Sequence, residues 1–397
     1  MKDEASSLNG EQILANAIRL APKIRECRDE IERERRLPMH LVDAMKKAGI
    51  FRMPMPRALG GPELDLPSQL RVIEALATAD ASVGWCAFIG CEAGYYIGYM
   101  PDAGARDLYA DLDTVTAGAV SLIGRAVRVK SGYRVSGRWP FASGCQHSTW
   151  LIAGCMVFED GAQKLRPNGV PETRQCFFPT KESKILDTWY TTGLRGSGSH
   201  DYTIDDYFVP EERTFSFQEP KAHRPESLYR FPFNIALKAA APALGVARAA
   251  IDALVEAGER PSRATTIGGE PVPPKRLRDE EFVQDAVGRA EATLAAARAY
   301  LFAVIGDLWS TMERAEVFSA RQLAQFAMVN AQTYSMCTQA VEMAYKARGG
   351  SSVYSSGPLD RLLRDALTMN QHVINSLRSY SMAGRILLGL PAENYLF

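Results

Sequence analysis

The sequence predicts an α+β fold in which helices at both ends enclose a β-rich middle. Three observations carry this. Apolar residues recur at helical spacing over the first ~110 residues, the period changes to that of strands between 113 and 215, and helices with broad apolar stripes resume from about residue 228. The expected domains are an N-terminal helical domain (1–112), a middle β-barrel or sandwich (113–215) and a C-terminal helical bundle (225–397). At 397 residues, 46% of them hydrophobic, the chain can bury a large core.

Arg25 to Arg36 reads as a charge-laced helix, and Leu37-Pro38 opens the next with proline near its first turn. Leu41, Val42, Met45 and Ala48 continue that helix until Gly49 stops it. Pro54, Pro56, Gly60, Gly61 and Pro62 mark a turn-rich loop. Helices are then expected over Pro67–Ala77 and from Ser82 to about Met100. In the middle block, Ala126–Val129 and Tyr133–Val135 flank a Ser131-Gly132 turn, and Trp150–Phe158, Gln175–Pro179 and Tyr202–Val209 add three strands. Leu244, Ala247, Ile251 and Leu254 form one apolar stripe of the last block, and Val287, Ala290, Leu294, Ala297 and Leu301 form another. Glu259 to Glu281, with four prolines and five Arg/Lys, is expected to be a loop between them.

The 46 basic and 46 acidic residues cancel, so neither nucleic acid nor an anionic membrane is an expected partner. Met1 to Ser7 has no apolar signal core, and no apolar run approaches the ~20 residues of a membrane span. The seven cysteines are scattered and odd in number, which reads as reduced thiols in a cytoplasmic protein. The five histidines are equally dispersed, so no metal site is expected.

Four segments carry chemistry. Gly137 to Trp150 reads as a strand end, a Ser143-Gly144 turn exposing a hydroxyl and amides, and a return strand; Trp139 and Phe141 add apolar surface. On these residues alone, an aromatic-rich hairpin packed on its neighbours is the simpler reading. Asp187 to Asp201 holds Gly193, Gly196 and Gly198, which permit close backbone approach to a ligand or a tight strand connection. Its spacing is that of neither a Walker loop nor a dinucleotide fingerprint. Arg263 offers a fixed donor fork suited to phosphate, although an arginine in a proline-rich loop is commonly just solvated. Near the C-terminus, Arg348-Gly349-Gly350 precedes Pro358 to His372, in which Arg364-Asp365 reads as a structural ion pair and His372 as an acid–base candidate.

The C-terminal run resembles the signature of the acyl-CoA dehydrogenase superfamily, with one difference. Where many of the dehydrogenases place a catalytic glutamate, this chain has His372-Val373. The Trp139-Pro140-Phe141-Ala142-Ser143-Gly144 stretch and Trp189 to Ser199 resemble the flavin-lining segments of its two-component, reduced-flavin-dependent monooxygenases. That resemblance spans nearly the whole chain. It implies an N-terminal helical domain, a middle β-barrel and a C-terminal four-helix bundle, assembled as a homotetramer.

The resemblance also implies roles. Ser143 would hydrogen-bond near the reactive flavin nitrogen; Trp139, Phe141, Trp189, Leu194, Arg195 and Ser197 would line the ring. Arg263 would hold flavin phosphate, and Gly349 and Gly350 would approach the flavin or a partner chain. His372 and Ser143 would be catalytic. Many relatives carry a further histidine on the helix after the stretch corresponding to Ser82-Val83-Gly84-Trp85, where this chain reads Cys91-Glu92-Ala93. Glu92 or Tyr96 would then contact substrate together with His372. The implied reaction uses reduced FMN or FAD and O₂, forms a flavin C4a-hydroperoxide, and hydroxylates a small aromatic or heteroaromatic substrate. A separate NAD(P)H:flavin reductase would supply the reduced flavin. His147 and His200 would lie at the pocket rim. Alternatives are an acyl-CoA dehydrogenase using Asp252 or Glu256 as base, an S- or N-oxidising monooxygenase, and a non-enzymatic flavin carrier.

Overall fold

The computed structural model describes residues 8–218, 222–260, 265–267, 270–272, 275–376 and 378–390. The N-terminal part contains α1 (Gly10–Glu26), α2 (Arg28–Glu34), α3 (Met39–Lys47), α4 (Leu66–Ala79), α5 (Ala81–Gly90), α6 (Ala93–Tyr96) and α7 (Asp102–Tyr109). α1 begins far upstream of the expected helix because Asn9 and Gln12 form a reciprocal capping box. The single apolar helix expected from Ser82 is broken after Gly90, where the chain turns through Cys91 and Glu92 before α6. Asp80 fixes the start of α5, its Oδ1 accepting from the Ser82 and Val83 amides at 2.9 and 3.2 Å.

The middle strands are β1 (Thr116–Val129), β2 (Gly132–Ala142), β3 (Trp150–Glu159), β4 (Ala162–Gln163), β5 (Thr173–Pro179), β6 (Lys184–Leu186), β7 (His200–Pro210) and β8 (Thr214–Phe215). They form one mixed sheet in the order β6-β7-β2-β1-β3-β5-β8, with β4 on β3. β1 and β3 run parallel; the other pairs are antiparallel. The β1–β2 hairpin has the expected turn, with Val129 opposite Gly132. The expectation of a closed barrel is corrected: among the described residues the sheet stays open. Its edge strands are three and two residues long and supply no closing ladder. Tyr133, Trp139, Phe178 and Tyr202 fill a core belonging to the sheet itself.

After a linker of short 3-10 turns come α8 (Ala241–Ala257), α9 (Glu281–Glu313), α10 (Ala320–Arg348), α11 (Pro358–Met369) and α12 (Arg378–Leu387). The stretch expected to be a plain loop contains a two-strand hairpin, Thr265–Ile267 with Glu270–Val272. The apolar stripe of α8 packs on α4, α10 and α11, and α9 lies along α10. One described helix, α9, is long and apolar enough to cross a membrane by length and composition, where the sequence reading saw no such run; 33% of that stretch is buried within the chain. All seven cysteines are buried and unpaired with one another, in line with reduced thiols.

Candidate active site

The site forms where the turn after β2 meets the N-terminal half of α5 and the loop before β7. Backbone bonds fold the turn tightly, from the Ser143 amide to the Phe141 carbonyl (2.9 Å) and from the Gly144 amide to the Ser197 carbonyl (2.8 Å). Phe141 sits at φ +64° and is 67% exposed, a strained conformation that holds its ring at the surface, 6.1 Å from that of Trp189. Ser143 is buried beside it. Trp85 Nε1 donates to Ser143 Oγ at 2.9 Å, and Ser143 Oγ lies 2.7 Å from Ser199 Oγ. Ser199 Oγ is 2.7 Å from Ser197 Oγ, which donates to the Leu194 carbonyl at 2.7 Å.

The glycine-rich loop was expected to bring backbone close to a ligand. Its glycines instead admit protein. A Cβ on Gly193 would stand 2.2 Å from the Arg364 carbonyl oxygen, and one on Gly196 would stand 2.0 Å from Ile31 Cγ2. The loop is therefore pressed onto α11 and α2. Leu194, at φ +49°, donates its amide to Asp365 Oδ1 at 2.6 Å, and its carbonyl also accepts from Trp189 Nε1 at 2.9 Å. Arg195 Nε donates to the Glu32 carbonyl and its Nη1 to the Thr191 carbonyl, both at 3.2 Å, so this guanidinium ties the loop to α2. The expected Arg364–Asp365 ion pair is also corrected. Arg364 bonds Asp360 at 3.0 Å and Glu32 at 3.1 Å, because on a helix it meets the residue four back and not its sequence neighbour. Burial, then the charge of Asp80, pushes Asp365 up to about 7, with the Leu194 amide pulling it back.

His372 stands just beyond α11, half-buried, with its ring edge-on to Trp85 at 5.5 Å. Its Nδ1 accepts from the Ile374 amide at 3.3 Å, so the neutral ring carries its hydrogen on Nε2. Burial pushes its pKa down from the ordinary 6.5 to about 4. It is thus a neutral imidazole at pH 7. His200 lies under the same loop, its Nδ1 accepting from the Thr188 and Trp189 amides at 3.1 and 3.2 Å. His147 is buried beneath the Ser143 turn, with no hydrogen-bond partner for either ring nitrogen among the described residues.

Beyond Trp85, Phe88 stacks edge-on at 5.7 Å and leads to a second buried cluster. Tyr96 Oη donates to Glu92 Oε2 at 2.5 Å, and Lys238 Nζ donates to Cys91 Sγ at 3.3 Å beneath the Phe88 ring. Burial pushes Glu92 up to about 7, while Lys238 and Tyr96 pull it down. Aromatic rings wall this cluster, with Phe177 and Phe215 at 5.3 and 5.9 Å from Tyr96.

The structure does not bring every expected residue here. Trp139 is fully buried in the sheet core, stacked on Tyr202 at 5.3 Å with its Nε1 on the Gly154 carbonyl, so it offers no free face to a ligand. Gly349 and Gly350 lie exposed at the end of α10 with open space around them. Arg263 lies outside the described residues. Asp252 is half-exposed and paired with Arg248 at 2.9 Å, and Glu256 is exposed on α8, so neither is held as a buried base. Sequence reasoning missed Trp85, Ser199, Asp365 as the loop's acceptor, and Lys238. The Ser82–Trp85 stretch and the second serine of Gly196-Ser197-Gly198-Ser199 were the available signals for the first two.

Comparison with known proteins agrees with this fold. Residues 12–102 match the acyl-CoA dehydrogenase N-terminal domain and residues 237–377 the acyl-CoA dehydrogenase C-terminal domain. An indole-3-acetate monooxygenase of Acinetobacter baumannii is 28% identical over 383 residues, covering 95% of both chains. An FADH(2)-dependent resorcinol hydroxylase, oxygenase component, of Rhizobium sp. is 26% identical over 94% of this chain and 93% of its own. The crystal structure of the HsaA monooxygenase from M. tuberculosis superposes with a TM-score of 0.88 at 25% identity, over 98% of this chain and 100% of that one. The chain belongs to the acyl-CoA dehydrogenase superfamily, in its branch of flavin-dependent monooxygenases.

Proposed function

We propose that this chain is the oxygenase component of a two-component system that hydroxylates a small aromatic or heteroaromatic substrate with O₂ and reduced FMN or FAD. A separate NAD(P)H:flavin reductase delivers the flavin. The observation that carries this reading is the meeting of Ser143, the Leu194 loop and His372 around Trp85, beside the exposed ring of Phe141 and the half-buried ring of Trp189. A flat heterocycle with a polar edge fits such a surface: rings for its face, a buried hydroxyl for its edge. When bound, reduced flavin supplies the two electrons that turn one atom of O₂ into water while the other enters the ring.

The protein's own residues do the rest. Ser143 meets the reactive nitrogen of the flavin, and Phe141, Trp189 and Leu194 form the wall. Arg195 acts through Glu32 as a clamp on that wall. Arg263 holds phosphate, and Gly349 and Gly350 leave room for flavin or a partner chain. His372, neutral at pH 7, offers Nε2–H to oxygen or substrate without placing a buried charge beside them. Glu92 and Tyr96 hold the far end of the substrate, with Lys238 as their cationic neighbour. Helices α8 to α11 act as a four-helix bundle. The uncovered apolar length of α9 supports a homotetramer in which further copies cover it.

The two bases weighed for the dehydrogenase alternative are exposed or paired on α8. The test is oxygen consumption with a flavin reductase and NAD(P)H, screened over phenols, indoles, thiophenes and amines. Substrate-dependent consumption with a hydroxylated product supports the proposal. A tightly bound FAD that bleaches on adding an acyl-CoA thioester overturns it.

A further inference from the structure

Four hydrogen bonds of the site lie in one line, and the line has a direction. Trp85 Nε1 can only donate, and at the other end the Leu194 carbonyl can only accept. Three hydroxyls stand between them, at Ser143, Ser199 and Ser197, each with a single hydrogen and two lone pairs, linked at 2.7 Å. Since Ser197 gives its hydrogen to Leu194, it must accept from Ser199. Ser199 must then accept from Ser143. Ser143 therefore has its hydrogen turned inward and its remaining lone pair available to whatever docks on it.

The line can also run the other way. If the docked atom has a lone pair and no hydrogen, Ser143 turns its O–H outward, Ser199 donates to Ser143, and Ser197 donates to Ser199. The Leu194 carbonyl then keeps its bond from Trp189 Nε1 and loses the one from Ser197. Counting the bond to the ligand, a docked N–H completes five bonds along the line and a docked bare nitrogen completes four. All these groups are buried, so the missing bond is not replaced by solvent.

We propose that Ser143, Ser199 and Ser197 form a reversible hydroxyl relay that reads whether the ligand atom on Ser143 carries a hydrogen, with Ser199 as the positioning residue at its centre. The inference rests on the flavin reading given above. There it has a definite consequence: the reduced ring has N–H at N5 where the oxidised ring has a bare nitrogen, so the relay favours reduced over oxidised flavin. One net buried hydrogen bond corresponds to about a fivefold ratio in affinity.

The experiment is anaerobic titration of wild type and variants with reduced and with oxidised FMN and FAD, scored as the ratio of the two Kd values. Ser199→Ala breaks the line, leaving equal bond counts for both ligands, so the preference for reduced flavin should fall about fivefold. Ser197→Ala should do the same by a second route. Trp85→Phe removes one bond from both ligands, so it should weaken both affinities and leave the ratio in place. Ser199→Thr, which keeps the hydroxyl, should retain the wild-type ratio. Thermal denaturation of each variant separates folding defects from binding effects. The relay is overturned if Ser199→Ala and Ser197→Ala hold the wild-type ratio within about twofold, or if Trp85→Phe changes the ratio as much as they do. Failure of the wild type to bind either flavin overturns the functional reading itself, and the relay with it.

Discussion

Asp365→Asn should stabilise the protein, and more so as pH rises. Burial lifts the Asp365 carboxyl from an ordinary 3.8 to about 7. In the folded chain it holds a proton that the unfolded chain has already released, so its ionisation works against folding. The sign follows: this penalty is absent below about pH 4, grows as pH rises toward 7, and is constant above. A rise from 3.8 to about 7 is worth about 4 kcal/mol at pH 8, and less than half of that is already present at pH 5. Asparagine removes the penalty and still offers an oxygen to the Leu194 amide, now at 2.6 Å. The asparagine amide must be desolvated in its turn, which gives back about 1 kcal/mol at either pH. The net gain is about 3 kcal/mol at pH 8 and under about 1 kcal/mol at pH 5. Chemical denaturation of wild type and variant at both pH values measures it. A variant less stable than wild type at pH 8 would show that the carboxylate charge itself holds the loop, and would refute the reasoning.

Other perturbations have equally definite outcomes. Gly196→Ala places a methyl 2.0 Å from Ile31 Cγ2 and should destabilise by about 1–3 kcal/mol in the same denaturation assay. His372, depressed from 6.5 to about 4, contributes stability that is full above pH 6.5 and is lost as pH falls toward 4; His372→Gln should flatten that part of the stability profile. His372→Ala should also cut hydroxylation at least tenfold while flavin still binds, measured by product formation against a flavin titration. Lys238→Met should weaken binding of an anionic aromatic such as 4-nitrophenolate more than that of uncharged nitrobenzene, read by absorbance titration, because it removes the cation beside Glu92.

Much of the architecture could be read from periodicity, because the stripes of α8 and α9 and the alternation around the Ser131-Gly132 turn are local signals. Boundaries were harder. The start of α1 depended on a capping box, and the break after Gly90 lies within an apolar stretch whose composition gives no stop signal. At the site, Ser143 stood out by its motif, yet its partners could not be seen. Trp85 lies 58 residues away and Ser199 lies 56, and both meet Ser143 only through tertiary packing. The glycines of the 193–198 loop showed that something approaches closely without showing whether it was ligand or helix; it is α11 and α2. Trp139 illustrates the reverse error. An aromatic in a flavin-lining motif suggests a wall, while strand alternation points its side chain into the sheet core.

The most direct test of the central claim is a single turnover under ¹⁸O₂ with a stoichiometric supply of reduced flavin and an aromatic substrate taken from the oxygen-consumption screen. The account predicts one ¹⁸O atom in the hydroxylated product and the other in water. Product oxygen drawn from solvent, or flavin reoxidation that yields only hydrogen peroxide across the substrate screen, would contradict it.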